Sequence, residues 1–171
     1  MNEVPWLAIA RDQIGVREIK GSQHEPKILS MWKDARLHFT DDETAWCCAL
    51  VGSSLERCYV NSTRRANARS YEHWGIDVKA NGIEQIPLGA ILVFERPPNP
   101  LEGHVGFAVG RTEDGKIMTL GGNQRDSVNI SPKLYESLVA ARWPSEFADD
   151  LRLLHHIPLM KSNGAISTNE A

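Results

Sequence analysis

The stretch "DDETAWCCAL", residues 41–50, sets Cys47 and Cys48 side by side directly after Trp46. Neighbouring cysteines do not easily pair with each other, and C-C is not the C-x-x-C spacing of a metal knuckle or a dithiol redox site. The surrounding pattern predicts a helix, and both thiols fall in its first turns. There the unpaired N–H groups and the positive end of the helix dipole favour thiolate over thiol. The competing reading is packing, the common fate of a free cysteine.

A thiol becomes a working nucleophile when an imidazole can take its proton and a polar side chain orients the second ring nitrogen. His104 opens the apolar run "HVGFAVG" (104–110), and Asn123 follows "KIMTLGG" (116–122). A hairpin centred on "RTEDGK" (111–116) places Asn123 opposite His104. An Asp114-Gly115 turn slips the register by one diagonal but preserves parity, so both side chains share a face in either case. Gln124 is the competitor, and in a regular strand it would point the other way. A histidine that merely caps the sheet remains the alternative on this geometry. His24, His38, His73, His155 and His156 read as surface or satisfied residues. No H-x-x-x-H or C-x-x-C is present to fix zinc, so no metal and no cofactor are expected.

Helices should carry the first half of the chain. "VPWLAIARDQIG" starts with Pro5 and spaces Leu7, Ala10 and Ile14 helically, with Gly15 as the stop. "EPKILSMWKDARL" repeats the stripe through Ile28, Met31, Trp32 and Ala35. "TDDETAWCCALVGSSLERC" predicts a third helix, with Thr40 and Glu43 as a capping box or Asp42 as the cap. "RRANARSYEHWG" predicts a short fourth ending at Gly75. The second half changes character: "GAILVF" (89–94), 104–110 and 116–122 read as an antiparallel meander of at least three strands, and "VAARWP" (139–144) as a further strand or packing segment. Helices first and strands afterwards give an α+β class.

A length of 171 residues favours one domain, expected over residues 1–160, with 161–171 as a small polar, disordered tail. A net charge of −3 gives no electrostatic reason to expect nucleic acid or an anionic membrane as partner. No apolar run is long enough to span a bilayer. The first residues lack the basic and apolar regions of a secretory signal. Three cysteines, an odd and small number, argue for reduced thiols rather than a disulfide framework.

In order, "PWLAIARDQIGVREIKGSQHEPKILSMW", "DDETAWCCALVGSSL", "ARSYEHWG", "GAILVFERP", "GHVGFAVG", "LGGNQRDSVNI" and "ARWP" resemble phage and prophage peptidoglycan hydrolases. These belong with the NlpC/P60 and CHAP papain-like cysteine hydrolases. The resemblance covers residues 5–144 and rests on W-C, G-H-V-G-F and L-G-G-N-Q in combination. It implies a papain-like fold with N-terminal helices packed on a small antiparallel sheet. Cys47 would be the nucleophile, His104 the general base and Asn123 the third member. Cys48, where the family usually has Ala or Ser, would be a packing substitute. Trp46 departs from the Gln or Asp that often precedes the cysteine, which leaves the oxyanion to the Cys47 backbone N–H and another donor. Glu18, Trp46, Arg69 and Trp74 are candidates for lining the groove.

The expected function is cleavage of an amide in the peptide part of peptidoglycan, by an enzyme expected to act as a monomer. Amidase and endopeptidase remain open, since both break amides. Without a signal peptide it would be made in the cytoplasm and reach the periplasmic wall by a holin or a dedicated secretion machine. It would serve as an endolysin, or as a toxin with a matching immunity protein. An inactive wall-binding module and a thiol-dependent transferase or protease with another substrate are the competing classes.

Overall fold

A computed structural model describes residues 3–79, 82–150, 152 and 155–161. Among them the helices are α1 (Pro5–Arg11), α2 (Pro26–Asp34) and α3 (Cys47–Glu56), followed by a 3-10 turn, Ala68–Tyr71. The strands are β1 (Ile76–Asp77), β2 (Ile91–Glu95), β3 (Gly103–Arg111), β4 (Lys116–Gly121), β5 (Asn129–Leu134) and β6 (Leu138–Trp143). They form one antiparallel sheet in the order β1-β6-β2-β3-β4-β5. The chain is α+β. No helix among the described residues is long and apolar enough to cross a membrane. The tail expected beyond Lys161 lies outside the described residues.

Pro5 and Pro26 begin α1 and α2, where a missing N–H costs nothing and φ is already helical. Leu7, Ala10, Ile28, Met31, Trp32 and Ala35 are buried as their spacing predicts, but Ile14 lies beyond the end of α1 and is exposed. Every residue of α3 from Cys47 to Leu55 is buried, so this helix has no solvent face to give it amphipathic contrast.

The start of α3 differs from expectation. Asp41 accepts from the N–H groups of Glu43 and Thr44 and closes a local turn instead of a helix. Asp42 points away, accepting from Ile19 N and Glu25 N and pairing with His24 Nδ1. Burial works to raise its proton affinity, but these donors hold the carboxyl below the usual Asp value. Neither acid nor Thr40 caps α3. The helix starts at Cys47 with Trp46 as N-cap.

Two strands escape the sequence pattern. β1 is only two residues long, and β5 contains Pro132, which reads against a strand because it cannot donate to a ladder. β5 is an edge strand, where that missing donor is tolerated. Rather than closing the meander, β6 pairs with β2 on one side and β1 on the other.

Candidate active site

The β3–β4 ladder pairs Phe107 with Leu120 and Ala108 with Thr119. Continued regularly, that register would set Asn123 opposite His104. The ladder stops first: β4 ends at Gly121, and Asn123 adopts φ 57°, a left-handed conformation that abolishes strand alternation. Arg125 and Asp126 are left-handed as well, so the chain turns sharply past Asn123.

This turn brings Gln124, not Asn123, to the imidazole. Gln124 Oε1 lies 3.1 Å from His104 Nε2. The expectation that Gln124 faces away fails because parity holds only within a strand. Its amide orientation is fixed by the other end, where Nε2 donates to Thr119 O at 3.3 Å, Asn129 O at 2.8 Å and Asn129 Oδ1 at 2.9 Å. Three acceptors around one atom require it to be the NH2 group. Oε1 is therefore the acceptor, and His104 Nε2 carries the hydrogen. The hydrogen bond between His104 and Cys47 then falls to Nδ1.

Asn129, at the start of β5, steadies the amide further. Its Nδ2 donates to Gln124 O at 2.7 Å and Ser127 Oγ at 3.0 Å, and its Oδ1 accepts from Ser131 Oγ. The sequence reading missed Asn129 because it missed β5. Phe94, paired with His104 across β2–β3, lies stacked beside the ring with centroids 6.5 Å apart.

Cys47 stands at the head of α3 facing this imidazole. Its proton affinity is pulled below the ordinary cysteine value first by a hydrogen bond from the Cys48 thiol. The His104 side chain and the Val105 N–H act the same way, against burial. Cys48 shifts oppositely, raised by that same hydrogen bond and by burial. His104 is lowered, chiefly because burial disfavours imidazolium, although its bonds to Cys47 and Gln124 oppose this.

Gly121 is the point of closest approach. A Cβ there would come 2.7 Å from both His104 Nε2 and Gln124 Oε1. We expect Gly121→Ala to cut turnover about tenfold or more, equivalent to at least ~1.4 kcal/mol in the barrier. The side chain would wedge the pair apart, and steady-state kinetics on the folded variant checks this. Unchanged turnover would mean that the pair is not needed.

The four proposed groove residues do not line the groove. Trp46 is fully buried: its ring covers Gly122, whose added Cβ would lie 2.8 Å from Cζ3, and its indole N–H donates to Glu18 Oε2 at 3.3 Å. Glu18 also binds Lys20, which bridges to Asp126. This pair ties the head of α3 to the loop that carries Gln124. Trp74 packs edge-on against Tyr71 and donates to Asn61 O. Arg69 pairs with Glu72, donates from Nη1 to Pro100 O at 3.0 Å and lays its stem near Gly103. It ties the Ala68–Tyr71 turn to the loop that carries Pro100.

The groove itself is an open cavity of about 820 Å³ that reaches Cys47. Its lining includes Ala66, Ala68, Glu95, Arg96, Leu101 and Glu102. Among the described residues no cluster of three or more His, Cys, Asp or Glu is placed to hold a metal. The arrangement can deliver a thiolate to an electrophilic carbon and exchange its proton through a tautomerically fixed imidazole. Comparison with family models, with curated proteins and with solved structures gave no match in any of the three.

Proposed function

We propose that this protein is a cysteine hydrolase of papain-like architecture that cleaves an amide in the peptide part of peptidoglycan. The observation that carries the hydrolase reading is one chain of contacts. Cys47 at a helix start meets His104, whose second nitrogen is held by Gln124. The choice of peptidoglycan is supported by the resemblance of the W-C, G-H-V-G-F and L-G-G-N-Q segments to the NlpC/P60–CHAP hydrolases, and by an open groove that reaches Cys47.

In this mechanism the Cys47 thiolate attacks the amide carbonyl carbon. The carbonyl oxygen becomes an oxyanion at the start of α3, where Trp46, as N-cap, offers no side-chain acceptor to occupy the first N–H groups. His104, having taken the thiol proton, gives it to the leaving nitrogen as the C–N bond breaks, and a thioester remains. The neutral imidazole then takes a proton from water, which attacks the thioester and releases the acid and Cys47.

The test is incubation with purified peptidoglycan and mass analysis of the released fragments. New amine and carboxyl ends separated by one hydrolysed amide are expected. Activity should be lost on treatment with iodoacetamide, with Cys47 as the labelled residue, and kept in EDTA. Intact peptidoglycan after incubation, or inactivation by chelator with recovery on adding zinc, would overturn the proposal.

A further inference from the structure

The loop that presents Gln124 is strained. Asn123, Arg125 and Asp126 adopt φ 57°, 51° and 59°, left-handed conformations that residues with side chains keep only where the surroundings over-determine them. Gln124 N donates to Ser127 O at 3.0 Å and Ser127 N to Gln124 O at 3.3 Å, which closes the turn on itself. Asn129 then fixes it from the β5 side. From the other side comes the segment after α1, residues 15–20. Gly15 N donates to Val128 O, Val128 N to Val16 O and Glu18 N to Asp126 O, at 2.8–3.0 Å, and Arg17 Nη1 reaches Arg125 O at 3.1 Å. This segment is a strap laid along the loop.

One side chain of the strap reaches the nucleophile helix. Glu18 Oε2 accepts from Trp46 Nε1 at 3.3 Å, and Trp46 is the N-cap of α3, directly before Cys47. Glu18 Oε1 accepts from Lys20 Nζ, whose other partner is Asp126 Oδ2 at 2.9 Å. The Glu18 side chain is only 4% exposed. Taking a carboxylate out of water is costly, and apolar packing of similar volume often holds two elements together as well or better. Directional contacts add something that apolar packing does not, a single mutual placement of the parts they join.

We propose that Glu18 is a positioning residue for the contact between Gln124 and His104. Its carboxylate sets the loop after β4 against the head of α3, so that Gln124 Oε1 meets His104 Nε2. The proposal rests on Gln124 being the group that orients the imidazole, as in the proposed function, but not on which amide is cut. Without the carboxylate, the buried indole N–H of Trp46 loses its acceptor and Lys20 loses its partner on the strap. The loop would keep its backbone bonds to the strap and lose its alignment with α3.

The first test needs no substrate. Nitrogen-15 resonances of the neutral His104 ring report which nitrogen carries the hydrogen. The wild type should show the Nε2–H tautomer, and folded Glu18→Ala should show the averaged shifts of a mixture, as Gln124→Ala should. A carboxylate that merely stabilised the fold would lower the melting temperature and leave this spectrum unchanged. Glu18→Gln keeps an acceptor for the indole and should fall between. Should Glu18→Ala not fold, Lys20→Met carries the test, because that side chain is 71% exposed, and its spectrum should move in the same direction. On peptidoglycan, Glu18→Ala should lower turnover roughly tenfold with KM nearly unchanged. In a Gln124→Ala background the same change should cost less than about twofold, since residues acting through one contact are not additive. Wild-type tautomer in the folded Glu18 and Lys20 variants, or full additivity with Gln124→Ala, would overturn the proposal. If Gln124→Ala itself leaves the ring unchanged, the orienting role of Gln124 falls and this proposal with it. If the spectra behave as expected but peptidoglycan stays intact, only the substrate assignment falls.

Discussion

Cys47→Ala is expected to abolish hydrolysis, with a loss of at least about 10⁴-fold, because the covalent route disappears while His104 and Gln124 are left with no nucleophile to serve. Cys48→Ala should behave differently. It keeps the nucleophile and leaves a small void costing ~1–2 kcal/mol of stability. It also removes the thiol hydrogen bond that most strongly favours the Cys47 thiolate. The acid limb of its pH–rate profile should therefore move to higher pH. Turnover should fall several-fold below neutrality and recover as pH rises. Cys48→Ser, whose hydroxyl is a better donor, should restore the wild-type limb. Rates of the three folded variants across pH decide the matter. Equal and complete loss in Cys47→Ala and Cys48→Ala would mean that the two thiols act as a unit and that the assignment to Cys47 alone is wrong.

Gln124→Ala should lower the turnover number about 10- to 100-fold, or ~1.4–2.7 kcal/mol in the barrier, and leave KM nearly unchanged. The imidazole would lose the acceptor that fixes its Nε2–H tautomer, whereas the groove walls would not be touched. Gln124→Glu is not a conservative exchange here. One carboxylate oxygen would replace an NH2 group surrounded by Thr119 O, Asn129 O and Asn129 Oδ1. Stability should drop as well as rate. Asn123→Gly, which suits the left-handed backbone at that position, should stay within a few-fold of wild type. If Asn123→Gly is the crippled variant and Gln124→Ala the healthy one, the contact at His104 Nε2 has no catalytic meaning.

The difference between Asn123 and Gln124 shows where sequence reasoning stopped working. Strand alternation meets the expected β3–β4 register at Phe107–Leu120 only because a bulge between Ala108 and Gly110 shifts the pairing that begins at Arg111–Ile117, whereas helical spacing placed Cys47 and Cys48 in a first turn. Both rules are local and periodic. The position of Gln124 is neither. It depends on three left-handed residues within a tight loop and on Asn129, which lies on a strand whose proline masks it. Trp46 was misread for a related reason. A large aromatic beside a candidate nucleophile suits a groove wall, but burial against Gly122 depends on where a distant strand ends.

The brace between Arg69 and Pro100 bears on how this groove could change over evolutionary time. Arg69 donates to a main-chain carbonyl, so the link is indifferent to the side chain at position 100 or at its neighbours in the loop. The amide network that holds His104 lies elsewhere, in the loop after β4 and at the head of β5. Substitutions at the rim, such as at Leu101 or Glu102, can therefore accumulate without unlatching the wall or disturbing the imidazole. Under the proposed function, substrate preference is free to drift while the chain of contacts from Cys47 through His104 to Gln124 stays constant.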